Sequence, residues 1–185
     1  VAALVTRQEP EGVIGDSTLH RGLLHYYRTC RFKHPDPVDV RRTMEKVSGL
    51  QLDWYFDEWI NTTRSLDHAI REVRVSGDSA WITVERVGEM LMPVDVLVID
   101  GERTERMYHI PLSLMLGPRK EALSPLPVTH LPAWTWTAPT YTFGVPVPAA
   151  GLELVRLDAN GRQADADRSN DALELEPGIR SVVRP

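Results

Sequence analysis

The spacing of the apolar residues changes once along the chain, about one third of the way along. Before this point they recur every three or four positions, as in Leu19 and Leu23, which is the period of a helix with one buried face. After it valine occupies every second position, as in residues 94–98, which is the period of a strand with one buried face. The change predicts an α+β fold, with a helical segment over residues 1–66 and an antiparallel β-sandwich over residues 67–185.

Local signals place the helix ends in the first region. Asp16 precedes an apolar face and is expected to be the N-cap of a helix. Pro10 is expected to break the first helix of the chain, which precedes Asp16. Asp36 and Pro37 are typical of an N-cap and the first helical position, and Asp39 completes a capping box. A last helix follows the Ser-Gly pair at 48–49. Its apolar face is formed by Leu52, Tyr55, Phe56, Trp59 and Ile60. The three aromatic rings of this face are expected to be core, at an interface between the two regions.

Turn signals separate the strand-like runs at intervals of 8–12 residues, which is typical of a sandwich. The pairs Gly77-Asp78 and Asp100-Gly101 are hairpin signals between alternating runs. A proline-rich stretch at 118–139 interrupts the pattern. The runs before and after it are 70–75, 81–84, 94–98, 107–110, 140–145, 152–157 and 179–183.

The charge balance excludes two classes of function. The 185 residues include 26 acidic residues and 21 lysines and arginines, for a net charge of −5. Nucleic acids and anionic membrane surfaces attract an excess of basic charge, so neither is expected as a partner. No apolar run is long enough to span a bilayer.

The sequence contains no complete catalytic motif, and we assign no catalytic, cofactor-binding or metal-binding residue. The zinc motif H-E-x-x-H and the nucleophile motif G-x-S-x-G are both absent. His20 and His25 are five positions apart, so they do not share one helix face. Cys30 is the only cysteine and is expected to be a small buried side chain.

The acidic stretch Asp165–Glu176 has two interpretations. Its oxygen-bearing residues Asp165, Asp167, Ser169, Asp171 and Glu176 occupy positions 1, 3, 5, 7 and 12 of a calcium-binding loop, but the glycine usual at position 6 is an asparagine. The other interpretation is a surface turn whose side chains bond the backbone. The sequence leaves calcium binding open.

An aromatic cluster near the proline-rich stretch also has two interpretations. Trp134, Trp136 and Tyr141 form either a stacking platform for a sugar or peptide, or a set of rings that packs a crossing loop onto the sandwich. Packing is favoured because large exposed aromatic surface is unfavourable in water.

Several segments, taken in order, resemble the bacterial branch of the M1 family of zinc metallopeptidases, the aminopeptidase N-like gluzincins. The segments are YYRTCRFKHPDP at 26–37, MEKVSG at 44–49, LDWYFDEW at 52–59, TT at 62–63, EMLMPV at 89–94, WTW at 134–136, PTYTF at 139–143, LD at 157–158 and DADRSN at 165–170. The resemblance implies that residues 1–66 are the helical tail of a thermolysin-like catalytic domain. It implies that residues 67–185 form the β-sandwich domain behind it.

The same resemblance implies chemistry that this chain does not carry. Family members bind zinc through H-E-x-x-H and a glutamate on the next helix, use the motif glutamate as general base, and stabilise the oxyanion with a tyrosine. All of these residues are expected upstream of Val1, and the oxyanion role does not fall on Tyr26 or Tyr27. The chain starts with an apolar run lacking a methionine or an N-cap, so we expect a piece of a longer protein.

Two hypotheses of function follow. In the first, the chain is the non-catalytic C-terminal part of a zinc aminopeptidase. Its partner is the preceding catalytic domain of the same polypeptide, peptides are the substrate of the parent, and zinc is a cofactor of the parent alone. This hypothesis predicts an apolar patch on residues 1–64, and export of the parent is plausible by resemblance. In the second, the chain is a binding module that uses the aromatic cluster, or part of a pseudo-peptidase.

Overall fold

The structure is a computed structural model that describes residues 8–120, 124–176 and 181–183, with only the backbone of residues 8 and 9. It is an α+β fold with the helices first and the strands after them. The helices are α1 (Gln8–Ile14), α2 (Asp16–Cys30), α3 (Pro37–Ser48) and α4 (Asp53–Asn61). The strands are β1 (His68–Ser76), β2 (Ser79–Arg86), β3 (Val94–Asp100), β4 (Glu105–Ile110), β5 (Val128–His130), β6 (Thr140–Pro146), β7 (Leu152–Leu157), β8 (Ala172–Glu174) and β9 (Ser181–Val183).

The strands form two mostly antiparallel sheets in a sandwich-like arrangement. One sheet has the order β6-β2-β1-β9 and the other the order β5-β4-β3-β7-β8. Both sheets contribute to a single hydrophobic core; for example, the rings of Tyr108 on β4 and Phe143 on β6 have centroids 5.6 Å apart. The alternation of Val94, Val96 and Val98 is confirmed, since all three are buried.

One strand pair departs from the antiparallel expectation. β5 runs parallel to β4, with Met107 opposite Val128 and His109 opposite His130. The chain leaves β4, crosses through the proline-rich stretch and returns in the same direction. A connection of that length permits parallel pairing, which a tight hairpin does not. The short strands β5 and β8 were absent from the sequence-based prediction, and residues 179 and 180 of the last predicted run lie outside the described residues.

The helix ends confirm one capping prediction and correct two others. Asp36 and Asp39 form the expected capping box, with each side chain accepting from the other residue's backbone N–H at 2.9 and 3.1 Å. The N-cap of α2 is Gly15, with φ +92°, and Asp16 is the first helical residue. Glycine adopts this backbone because a side chain there would be strained, and it lets α2 begin directly after α1. Pro10 does not break a helix, because it lies in the first turn of α1, where its missing N–H has no intrahelical acceptor.

Charged contacts attach α1 to the rest of the fold. Arg119 donates to the carbonyl of Gly12 in α1 and, at 2.9 Å, to Asp95 on β3. Arg162 pairs with Glu11 at 3.1 Å and also with Asp16, the first residue of α2. Helices and strands share one core, and the described α-helices end at residue 61. The division into domains at residues 66 and 67 stays a prediction.

Candidate functional site: an apolar groove among the helices

The four helices enclose a cavity of about 220 Å³ that is lined by apolar side chains and the ring of Tyr55. The lining residues are Pro10, Val13, Ile14, Leu19, Leu23, Val40, Met44, Leu52, Tyr55 and Phe56. The cavity reaches the surface at Leu23, whose side chain is 49% exposed although it belongs to the lining. A pocket without polar groups selects apolar ligands or apolar protein surface, because a polar ligand would lose its hydrogen bonds to water.

A second pocket, of about 250 Å³, continues this cavity across α3 and α4. Phe56 lines both pockets, and the second one also includes Val38 and Ile60, both exposed. The two pockets together are called the helical groove below. Arg41 and Asp57 lie on its outer part, so the polar character of the lining increases towards that end.

The surface around the helical groove is unusually apolar. Of the eleven large apolar side chains that are exposed in the described residues, six lie on α2, α3, α4 or the α2–α3 loop. Phe32, in that loop, is 96% exposed and has a left-handed backbone, with φ +64°. An exposed ring and a positive φ at a bulky residue are both uncommon, and together they make Phe32 a candidate for contact with a partner.

The charge of this region is opposite to that of the whole chain. Residues 16–48, which cover α2, the loop and α3, contain seven basic and four acidic residues, for a net charge of +3. The complete chain carries −5. The helical groove therefore lies beside basic helices in an otherwise acidic protein. An apolar partner flanked by carboxylates is complementary to it.

Close helix packing sets the width of the groove. A Cβ atom built on Gly22 of α2 would lie 2.4 Å from the sulfur of Met44 on α3. Glycine at this point lets the two helices approach, and the Met44 side chain fills the space next to the cavity.

The aromatic face of the last helix packs largely as expected. Tyr55 is buried, while Phe56 and Trp59 are half-buried against the core. Tyr55 has a ring contact with Trp59 at a centroid distance of 6.1 Å. Tyr55 and Phe56 also line the helical groove, so this face forms part of the wall of the groove.

The second aromatic cluster does not form one exposed platform. Trp134 is 1% exposed and donates from its indole N–H to the carbonyl of Ala138, whereas Trp136 is 56% exposed. The Tyr141 ring packs against Trp134 at 5.7 Å, and its hydroxyl donates to the carbonyl of Pro132. The structure therefore favours the packing interpretation for Trp134 and Tyr141, and leaves Trp136 as the one exposed ring of the three.

The acidic stretch forms turns in which the side chains bond the backbone. Asp165 accepts from the N–H of Asp167 at 3.0 Å and from that of His68 at 2.9 Å. Asp167 in turn accepts from the N–H of Ser169. Burial and the neighbouring carboxylates, Asp165 first among them, raise the pKa of Asp171 to about 7. These contacts match the surface-turn interpretation.

The remaining candidates do not come together. His20 and His25 are exposed on α2, and Cys30 is half-buried at its end. In the described part of the chain no three His, Cys, Asp or Glu side chains are arranged to hold a metal ion.

The structure contains a buried polar network that sequence reasoning missed. Asp95, His109 and His130 are register partners on β3, β4 and β5, and Arg119 pairs with Asp95. Burial on its own raises the pKa of Asp95, but the hydrogen bond with His109 and the charge of Arg119 outweigh it and hold that pKa below its usual value. Burial, His109 and Arg119 together lower the pKa of His130. The sequence gives one indication of this network. Asp95 lies between Val94 and Val96, at a position where the alternation directs the side chain away from the core.

Comparison with known proteins gives no matching family model and no matching curated protein. None of the helices in residues 8–120, 124–176 and 181–183 combines the length and the apolar character needed to cross a bilayer.

Proposed function

We propose that this chain is the non-catalytic C-terminal portion of a zinc-dependent peptidase of the M1 type. In this proposal the helices are the tail of a thermolysin-like catalytic domain, and the sheets are the β-sandwich domain behind it. Peptide hydrolysis belongs to the parent protein, whose zinc ligands lie upstream. The role of this chain is to brace the catalytic domain through the helical groove.

The observation that carries the proposal is that the resembling segments coincide with the groove. The segment at 26–37 supplies Pro37, the segment at 44–49 supplies Met44, and the segment at 52–59 supplies Tyr55 and Phe56. These are different stretches of sequence that the fold brings to one apolar surface. A surface of this kind is expected where one part of a protein docks on another.

The energy available at this surface is sufficient for docking. Fully burying a leucine, valine or phenylalanine side chain contributes about 1.5–3 kcal/mol. Leu23 and Ile60 are each about half exposed, so burying what remains exposed would stabilise a docked domain by roughly 2 kcal/mol. Within one polypeptide this is enough, because the two parts are already at high effective concentration.

The first experiment is to extend the chain upstream along its own coding sequence. An in-frame H-E-x-x-H followed by a glutamate on the next helix supports a zinc aminopeptidase. An upstream domain without these residues replaces the peptidase with a scaffolding protein, and a start codon directly before Val1 refutes the proposal.

The second experiment uses the extended protein with Leu23→Gln and Ile60→Gln together. Both substitutions place an amide in the helical groove, so we expect a lower thermal midpoint and a faster loss of aminopeptidase activity on heating. Trp81→Gln is the matched control, because Trp81 is half exposed on β2, a strand of the four-stranded sheet. If the groove variant and the control both keep nearly the thermal midpoint and the activity of the unchanged protein, the groove is not a docking surface.

A further inference from the structure

Three side chains lie in a row across one face of the five-stranded sheet. Asp95 is opposite His109 in the β3–β4 pairing, and His109 is opposite His130 in the β4–β5 pairing. Register partners on neighbouring strands point to the same face, so the row is fixed by the backbone and not by side-chain choice.

The first two members of the row form an oriented pair. Asp95 Oδ1 and His109 Nδ1 are 2.6 Å apart, and Arg119 donates to the other carboxylate oxygen at 2.9 Å. An ionised carboxylate can only accept a hydrogen bond, so His109 Nδ1 carries the proton. In the neutral imidazole Nε2 is then left with a lone pair.

No hydrogen-bond donor in the described structure reaches that lone pair. His109 is 1% exposed, and Nε2 is buried without a hydrogen-bond partner among the described residues. The ring of His130 is adjacent, with a centroid distance of 5.4 Å and an interplanar angle of 84°, and His130 is exposed. The ring that carries the buried nitrogen therefore lies next to a second imidazole that solvent can reach.

We propose that His109 and His130 bind a late first-row divalent metal ion, with Zn²⁺ or Cu²⁺ as the class of ligand. Metal-binding histidines typically donate their other ring N–H to a carboxylate, which is the arrangement of His109 and Asp95. Two imidazoles on one tetrahedral zinc have ring centroids roughly 5 Å apart, since each Zn–N bond is about 2.0–2.1 Å. The 5.4 Å between the two rings fits this spacing. Water or a small anion completes the coordination, as in zinc sites that keep an open position.

The site differs from the zinc centre of the proposed function. It is built from strands β3, β4 and β5 and needs no residue upstream of the chain. Arg119 and Asp95 compensate each other's charge, so the ion does not meet an unpaired positive group.

The experiment is a calorimetric titration of the present chain with Zn²⁺, repeated with His130→Asn. His130 is exposed, so the variant is expected to fold, and we expect it to bind about tenfold more weakly or not at all. His25→Asn is the control, because His25 is exposed on α2, away from the row. We expect the control to bind as the unchanged chain does.

Electron paramagnetic resonance of the Cu²⁺ complex supplies the second readout. Two coordinating imidazole nitrogens give a resolved hyperfine pattern, and the pattern is expected to reduce to one nitrogen in His130→Asn. Absence of binding by the unchanged chain overturns the proposal. Equal binding by His130→Asn and the unchanged chain also overturns it, and identifies scattered surface histidines as the ligands.

Discussion

We expect His68 to make the stability of this protein sensitive to acid. It is the first residue of β1, 1% exposed, with its ring centroid 5.9 Å from that of Trp134. Neither ring nitrogen makes a hydrogen bond of good geometry among the described residues. Burial, to which the nearby charge of Arg86 adds, lowers the pKa of His68 from 6.5 to about 4, and it outweighs the Gln163 side chain, which acts in the opposite direction.

The magnitude follows from the two pKa values. Above pH 6.5 the imidazole is neutral in both states and adds no pH dependence. As the pH falls from 6.5 to 4, His68 binds a proton in the unfolded chain but stays neutral in the folded chain. The free energy of unfolding therefore decreases across this window. At about 1.4 kcal/mol for each pH unit, the loss is about 3 kcal/mol. This is a large share of the roughly 5–15 kcal/mol that stabilises a typical domain.

The assay is urea unfolding at a series of pH values, followed by far-ultraviolet circular dichroism, for the unchanged chain and for His68→Phe. Phenylalanine keeps a ring against Trp134 and cannot be protonated. We therefore expect the difference in unfolding free energy between the two to change by about 3 kcal/mol, in favour of the variant, from pH 7.5 to pH 4. His25→Asn, at an exposed position on α2, is the control variant and is taken through the same series. Parallel curves for His68→Phe would refute the argument from burial.

Two further predictions concern other buried groups. The pKa of Asp171 is raised to about 7 by burial first and by nearby carboxylates, so its stabilising effect is complete below about pH 4 and is lost as the pH rises through 7. Asp171→Asn should therefore raise the thermal midpoint at pH 8 and not at pH 4, and equal effects at both would contradict the assignment. Gly22→Ala is expected to displace the flexible Met44 side chain into the cavity, with a change in unfolding free energy within about 1 kcal/mol and weaker binding of an apolar dye. A much larger destabilisation, measured by urea unfolding, would show that Met44 cannot move.

Structural features that depend on residues close together in the sequence could be predicted. The capping box of Asp36 and Asp39 depends on residues three apart, and the hairpin at Asp100-Gly101 on a single turn, so both were predictable. Gly15 shows the limit of this approach. Aspartate is a common N-cap residue, which is why Asp16 was predicted to cap α2. However, Gly15 is the only residue between the end of α1 and the start of α2, and it has a positive φ that glycine adopts without strain.

Long-range pairing could not be predicted in the same way. Trp134 and Trp136 are two residues apart and of one type, but Trp134 enters the core beside His68 while Trp136 stays exposed. The burial of each depends on the path of the crossing loop over the sheet. The pairing of Asp95 with His109 depends on the register of the β3–β4 hairpin, which follows from the length of its loop and not from the Asp100-Gly101 pair alone.

The wall of the helical groove is held by charged contacts as well as by apolar packing. α1 supplies Val13 and Ile14 to the cavity, and the carbonyl of Gly12, next to them, accepts from Arg119. Since Arg119 also pairs with Asp95 on β3, it links this wall to the five-stranded sheet. The proposed brace requires such a link, because a docked domain gains rigidity only if the surface under it is itself fixed.

The same connection places the two proposals side by side without making one depend on the other. Asp95 lies between the groove wall, through Arg119, and the histidine pair, through His109. Leu23→Gln changes the groove and leaves the row of strand residues intact, while His130→Asn changes the row and leaves the groove lining intact. A failure of docking with intact zinc binding, or the reverse, therefore decides one proposal and preserves the other.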